Sequence, residues 1–411
     1  MSQTIFTGFS PNTTMKDVRI ALSFLVLPWK WGGWKNGIHL HNAEEMLCAY
    51  FDGRPVKLFD SGRSALLIAL RALGVGTGDE VLVQAFTCVV VVNAIKWVGA
   101  SPVYVDIQKE TLNMDVADAK KKITTKTKAI IIQHTFGLPA NIDVLLSFAR
   151  AHNLRTIEDC AHSLGARYEG TLTGTFADIG MLSFGGEKII SCVRGGALIV
   201  NNQAFLPAVI TMKKQLPNMS TKRIFQHLVH VVVFPLGKRW YHIFFGKLFL
   251  YCIKKLHLAN KIITNNEKKG IYDSGYPATL PHALATLLVS QIPYIDERNR
   301  HRKMIANMYT RMLEGSGFEL QAYSPEHIYL RYTVFVRAPE TIRKKTKELG
   351  ILLGDWYSTV VGPRDTDVEN TGYIVGSCPV AEERSNMVLN LPTGIHTTKK
   401  DVEKIITSIT E

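Results

Sequence analysis

The sequence predicts an α/β protein built on a mostly parallel sheet, with one large and one small domain. Short apolar runs alternate with helical stretches over residues 57–134, the pattern of strands joined by crossover helices. Residues 155–158 pass from a β-branched centre to an acid, as in a buried parallel strand whose carboxylates sit at its C-terminal end. A length of 411 residues, 46% hydrophobic and 20% charged, gives room for a real core and excludes a disordered chain.

Taken in order, residues 20–29 are apolar but about half of the roughly 20 residues a spanning helix needs, and Lys30 stops them. They cap the fold or touch a membrane surface. No secretory leader pattern precedes them, so Cys48, Cys88, Cys160, Cys192, Cys252 and Cys378, which show no paired short spacing, read as reduced cytosolic thiols. Lys57-Leu58-Phe59, then Asp60-Ser61-Gly62-Arg63-Ser64, then residues 65–73 read as strand, tight turn and helix. Such a helix start offers free N–H groups to an anion, or Ser61 or Ser64 simply caps it. Gly74, Gly76 and Gly78 lead into a strand at residues 80–84, a helix at 87–98 and strands at 102–106 and 128–134.

The acid-tipped strand ends in Glu158-Asp159, and Lys188 follows within Ser183-Phe184-Gly185-Gly186 and Gly195-Gly196. Ligands of open α/β sheets bind at this end of the strands. An acid and a lysine presented there suit pyridoxal 5'-phosphate, whose aldehyde needs an amine and whose ring nitrogen needs a carboxylate to stay protonated. Glu158-Asp159, Ala161-His162, Gly165-Ala166 and Ser183-Phe184 before Lys188 resemble the motifs of the DegT/DnrJ/StrS-type sugar aminotransferases, fold type I pyridoxal phosphate enzymes. The likeness covers residues 40–210 strongly and 275–411 loosely.

The resemblance implies a three-layer α/β/α sandwich with a seven-stranded, mostly parallel sheet, a small C-terminal α/β domain and a homodimer. It implies Lys188 as the cofactor-holding acid and base, Asp159 on the ring nitrogen, and His162 on the cofactor's phenolic oxygen or on the acid. Ser61, Gly62 and Ser183 then take the phosphate. Arg63 replaces the family's Thr and either supports the phosphate or points into solvent. Cys88 stands where the family stacks an aromatic ring, so stacking is weaker or Phe86 moves toward the ring; a packing role for the thiol is as good a reading. Tyr276-Pro277-Ala278-Thr279-Leu280 replaces an Asn-x-Arg that reaches the partner subunit's site in the family.

The implied reaction carries an amino group from glutamate or glutamine to a nucleotide-linked keto-sugar, for cell-surface polysaccharide or secondary metabolites. A related sugar dehydratase is the runner-up, but that branch replaces the lysine with histidine. A non-catalytic, membrane-associated scaffold is favoured by Cys88 and by residues 276–280, and opposed by Asp159, Lys188 and Ser183.

The formal charge of +13 asks for an acidic partner. It concentrates at residues 213–270, where 12 Lys and Arg face one acid, Glu267, among many aromatics. Pro235, Gly237 and Gly246 argue against one continuous helix. Two short helices of residues 221–257 lying on an anionic membrane fit this mixture, and so does a helical insert buried against a partner subunit. Nothing resembles a nucleic-acid-binding signature. The expected organisation is an N-terminal segment to residue 40, a cofactor-binding domain at 41–212, a basic-aromatic insert at 213–274, and a long helix (281–315) with the small domain at 275–411. There, a strand at 331–337, helices at 339–349 and 399–409, and Trp356-Tyr357 as substrate contact or surface packing complete the reading.

Overall fold

Seven strands form the central sheet of the computed structural model, which describes residues 4–8, 12–241, 244–255, 258 and 263–410. They are β1 (Val56–Phe59), β2 (Glu80–Gln84), β3 (Ser101–Val105), β4 (Thr127–Gln133), β5 (Arg155–Asp159), β6 (Ile179–Ser183) and β7 (Gly196–Val200), in spatial order β1-β7-β6-β5-β4-β2-β3. Only β7 runs antiparallel to its neighbours. Both faces are covered, which is why the strands read as unbroken apolar runs. Val81, Val83, Ile131, Ile157 and Leu198 pack on one side with the helices Gly62–Ala72 and Val89–Trp97. Their alternates Leu82, Ile130 and Ile132 face the helix Ile142–Ala151, while Leu58, Ala197 and Ile199 face the helices His39–Tyr50 and His282–Gln291.

A smaller antiparallel sheet of Glu319–Leu320, Tyr332–Phe335 and Val388–Leu391 packs against the helices Ile295–Leu313 and Lys399–Thr410. The long helical region is thus two helices, His282–Gln291 and Ile295–Leu313, interrupted by a 3-10 turn at Ile292–Tyr294 carrying Pro293, which cannot donate to the helical ladder. The expected helix at 87–98 begins at Val89, because Thr87–Cys88 pairs with Val361–Gly362.

The insert forms two helices, Thr221–Arg239 and Phe244–Lys255, and Pro235 lies inside the first rather than ending it. Ile224, Leu228 and Val231, spaced as one helical face, are fully buried against the helices Met15–Val26 and His282–Gln291. This face is therefore covered by the chain's own helices. The side chains of Leu236, Arg239, Phe244, Phe245, Phe249, Leu250 and Lys254, and all of Lys261, lie outside the described residues. Among the described residues no helix is long and apolar enough to cross a membrane.

Candidate active site

The sheet register assembles the site. Ser183 ends β6 opposite Gly196 of β7, and Gly196 pairs with Phe59 of β1. Two residues beyond Phe59, Ser61 caps the helix Gly62–Ala72, its Oγ accepting the N–H of Ser64 at 3.2 Å. A Cβ on Gly196 would lie 2.5 Å from the Ser61 carbonyl, and one on Gly62 would lie 3.1 Å from Ser183 Cβ. Glycine is what lets the three segments touch.

Above these strand ends lies a cavity of about 300 Å³. Ser61, Gly62, Arg63, Cys88, Asp159, His162, Ser183 and Lys188, the residues singled out by sequence, all line it. Lys188 closes a turn by donating its N–H to the Gly185 carbonyl, and Phe184 donates to Gly195 at the loop's base. Lys188 is half-buried, but its amine faces protein walls, and desolvation pushes it below the ordinary lysine value despite Cys88 and Asp159. Burial raises the Asp159 carboxyl, opposed by the N–H of Ala161 (3.0 Å to Oδ1) and by Lys188.

Three expectations change. Arg63 does not point into solvent: it is buried and ion-paired with Glu267, because the whole start of its helix is buried. His162 makes no bond to the acid; its Nδ1 accepts the N–H of Phe136 at 3.3 Å, and its ring stacks on Phe136 and Tyr357 with centroids 5.6 and 6.2 Å away. Burial, then Lys188 and Arg331, hold His162 well below the usual imidazole range. Phe86 is fully buried, edge-on to Phe136 and Tyr357, rather than on the cavity wall. Trp356 and Tyr357 do line the cavity, so surface packing does not explain them.

Sequence reasoning missed Glu187 and Arg331, which pair with each other on the cavity wall. Arg331 also carries its guanidinium over Trp356 at 5.4 Å. Nothing local marks such a pair. Asn12 was missed as well: its Nδ2 donates to the carbonyls of Lys188 (3.1 Å) and Ile189 (2.9 Å), strapping the N-terminal segment across the lysine loop. The role of Glu158 was legible only as half of an acid pair. It is fully buried, and its carboxylate accepts the N–H groups of Gly174 (2.7 Å), Phe176 (2.7 Å) and Ala177 (3.0 Å) and pairs with His134 (3.1 Å). Since His134 Nδ1 accepts from Ala140, Nε2 carries the proton and donates to Glu158. His134, Glu158 and Cys160 lie close enough to hold a metal, but these hydrogen bonds already occupy the acid and imidazole.

The model of the DegT/DnrJ/EryC1/StrS aminotransferase family matches residues 27–410. A curated relative from Acidithiobacillus ferrooxidans, UDP-N-acetyl-3-dehydro-alpha-D-glucosamine 3-aminotransferase, is 28% identical over 351 residues, covering 85% of this chain and 82% of its own. GDP-perosamine synthase of Escherichia coli O157:H7 is 43% identical over 155 residues, 38% of this chain and 43% of that one. The solved aminotransferase from Psychrobacter cryohalolentis superposes with a TM-score of 0.75 at 20% identity, covering 98% of each chain.

Proposed function

Because the chain belongs to the DegT/DnrJ/EryC1/StrS aminotransferase family, we propose that it is a pyridoxal phosphate-dependent enzyme that turns a nucleotide-linked keto-sugar into an amino-sugar, with glutamate or glutamine as donor. The observation that carries this reading is the meeting of Lys188, Asp159 and the Ser61-Gly62-Ser183 cradle in one cavity. The donor set fits the cofactor: an amine with a lowered proton affinity for its aldehyde, a buried carboxylate for its ring nitrogen, and two hydroxyls with a helix start for its phosphate. Bound there, the cofactor supplies an electron sink for the carbon next to the transferred nitrogen.

The chain's own groups do the rest. Asp159 would set its carboxyl beside the ring nitrogen, and His162 with Tyr357 would form an aromatic wall that orients the ring and excludes water. Lys188 would hold the cofactor's aldehyde and, when free, would take a proton from the donor's carbon as general base and give one to the sugar carbon as general acid. Arg63, Arg194, Lys268 and Arg331 outnumber the acids on the lining and suit a substrate carrying a diphosphate. Both relatives described above are named for nucleotide-linked sugars. Incubation with a panel of keto-sugar nucleotides and either donor, read by mass spectrometry, should yield an amino-sugar nucleotide from at least one; conversion of none by a cofactor-loaded protein would end this reading.

We also propose a homodimer that rests on anionic membrane. Trp29 (76% exposed), Trp31 (54%), Trp240 (50%) and Tyr251 (60%) stand out on the helical layer formed by residues 15–33 and the insert, where residues 213–270 carry 12 Lys and Arg against one acid. Co-sedimentation with anionic vesicles, lost on raising salt and in Trp29→Ser/Trp31→Ser, is expected. If light scattering finds the dimer broken by that double variant while vesicles never bind, the face is a subunit interface instead.

A further inference from the structure

A second cavity of about 300 Å³ adjoins the first and shares Glu187, Leu330 and Arg331 with it. Among the described residues its walls come from residues within 4–8 and 12–18, from Lys238 of the insert, and from residues within 394–401 of the small domain. The helices Met15–Val26 and Lys399–Thr410 both begin beside it, and a helix start carries partial positive charge. The charged side chains on the lining do not balance. Lys238, Arg302 and Arg331 stand against two acids, Glu187 and Asp401. Arg331 is ion-paired with Glu187, and Asp401 supports the charge on Lys238, which burial weakens. The lining's histidine, His396, is held low by burial and adds no charge near neutrality. Arg302 is left over.

Arg302 is 2% exposed and lines the cavity. Its Nη1 donates to the Leu330 carbonyl at 3.0 Å and to Thr393 Oγ1 at 2.9 Å, both uncharged acceptors, and its Nε has no partner. Among the described residues no carboxylate pairs with it. Asp17 and Glu297 support Arg298 one helical turn away, but the charges acting on Arg302 are those of Arg298 and Arg331, both of its own sign. Burial, followed by these two, pulls Arg302 down to about 9, which leaves it charged at neutral pH. A buried charge that nothing compensates is costly, and the cavity it lines has room for a counter-charge.

The geometry points to a second ligand site: this cavity binds a small anion, a carboxylate or a phosphate, on Arg302, with Lys238 and Arg331 on the same lining. One positive charge in excess suits one such group. Burial and the two Nη1 bonds hold the guanidinium in place, and its planar fork matches the paired oxygens that carboxylate and phosphate share. Lys238, whose amine lies 5.6 Å from the Phe6 ring, adds a point charge. Glu187 and Arg331 belong to the wall shared by the two cavities, and Lys188 lines only the first. The anion site is therefore separate from the lysine's and does not rest on the proposed reaction.

The test is calorimetric titration of the full-length protein with acetate and, separately, with inorganic phosphate, at constant ionic strength and with pyridoxal phosphate present in excess. At least one of the two is expected to bind, and which one does tells the carboxylate from the phosphate source. Arg302→Met should weaken that binding roughly 10- to 100-fold, the worth of one or two charge-assisted hydrogen bonds. Arg302→Lys, which keeps the charge without the fork, should fall between and is the decisive variant if Arg302→Met does not fold. Ser183→Ala, in the first cavity, should leave the affinity unchanged. The inference is overturned if neither anion binds the unmodified protein, if the folded Arg302 variants bind as tightly as it does, or if Ser183→Ala alone abolishes binding.

Discussion

Lys188→Ala is expected to lower amino transfer by at least roughly 10³-fold, within the range that a positioned general acid and base contributes, and to leave the protein uncoloured by pyridoxal phosphate. The other lysine on the cavity lining, Lys268, pairs with Asp365 and cannot serve without giving up that partner. The same substitution should not cost stability. The amine of Lys188 is held below its ordinary value by desolvation, so the fold gains nothing from its charge, and thermal unfolding should stay level or move up. A variant that loses activity together with its melting temperature would point to a structural lysine instead. Initial rates on the substrate found in the keto-sugar panel, with calorimetry on the same samples, separate the two.

Glu158→Ala is expected to cost several kcal/mol, since each buried donor left without its acceptor costs about 1–3 kcal/mol. It would strand the buried N–H groups of Gly174 and Ala177, the half-buried one of Phe176 and the buried imidazole of His134. The pH dependence has a definite sign. Burial alone would raise this carboxyl, but the hydrogen bond from His134 and the N–H groups of Gly174 and Ala177 together hold it below its ordinary value of 4.5. Its stabilisation is thus present above that value and lost as the pH falls through the lower folded-state value. In urea unfolding the gap between unmodified protein and variant should be full near neutrality and close in acid. A gap that widens in acid would mean that the carboxyl is protonated in the fold.

How much of this was legible in the sequence follows from what is local. The strand Glu80–Gln84 and the acid tip of Arg155–Asp159 were readable because both faces of the sheet are buried, leaving continuous apolar runs. The lysine, the carboxylate and the cradle were readable because each follows a strand end or helix start with its own sequence mark. Sequence leaves Arg63 open between the phosphate and solvent, because nothing in its neighbourhood reveals that residues 63–70 are buried on every side. Glu187 with Arg331, and the stack of His162 on Phe136 and Tyr357, join segments far apart in the chain, and no spacing encodes such pairs. The buried face of Thr221–Arg239 is a case between: Ile224, Leu228 and Val231 carry a helical period, but the lysines and aromatics around them mask it.

The most direct test of the central claim is to load the protein with pyridoxal phosphate, reduce it with borohydride and locate the modified lysine by peptide mass spectrometry. One pyridoxyl group is expected, on Lys188, and none when glutamate and then buffer wash precede reduction. Modification of a different lysine, or of none at saturating cofactor, would contradict it.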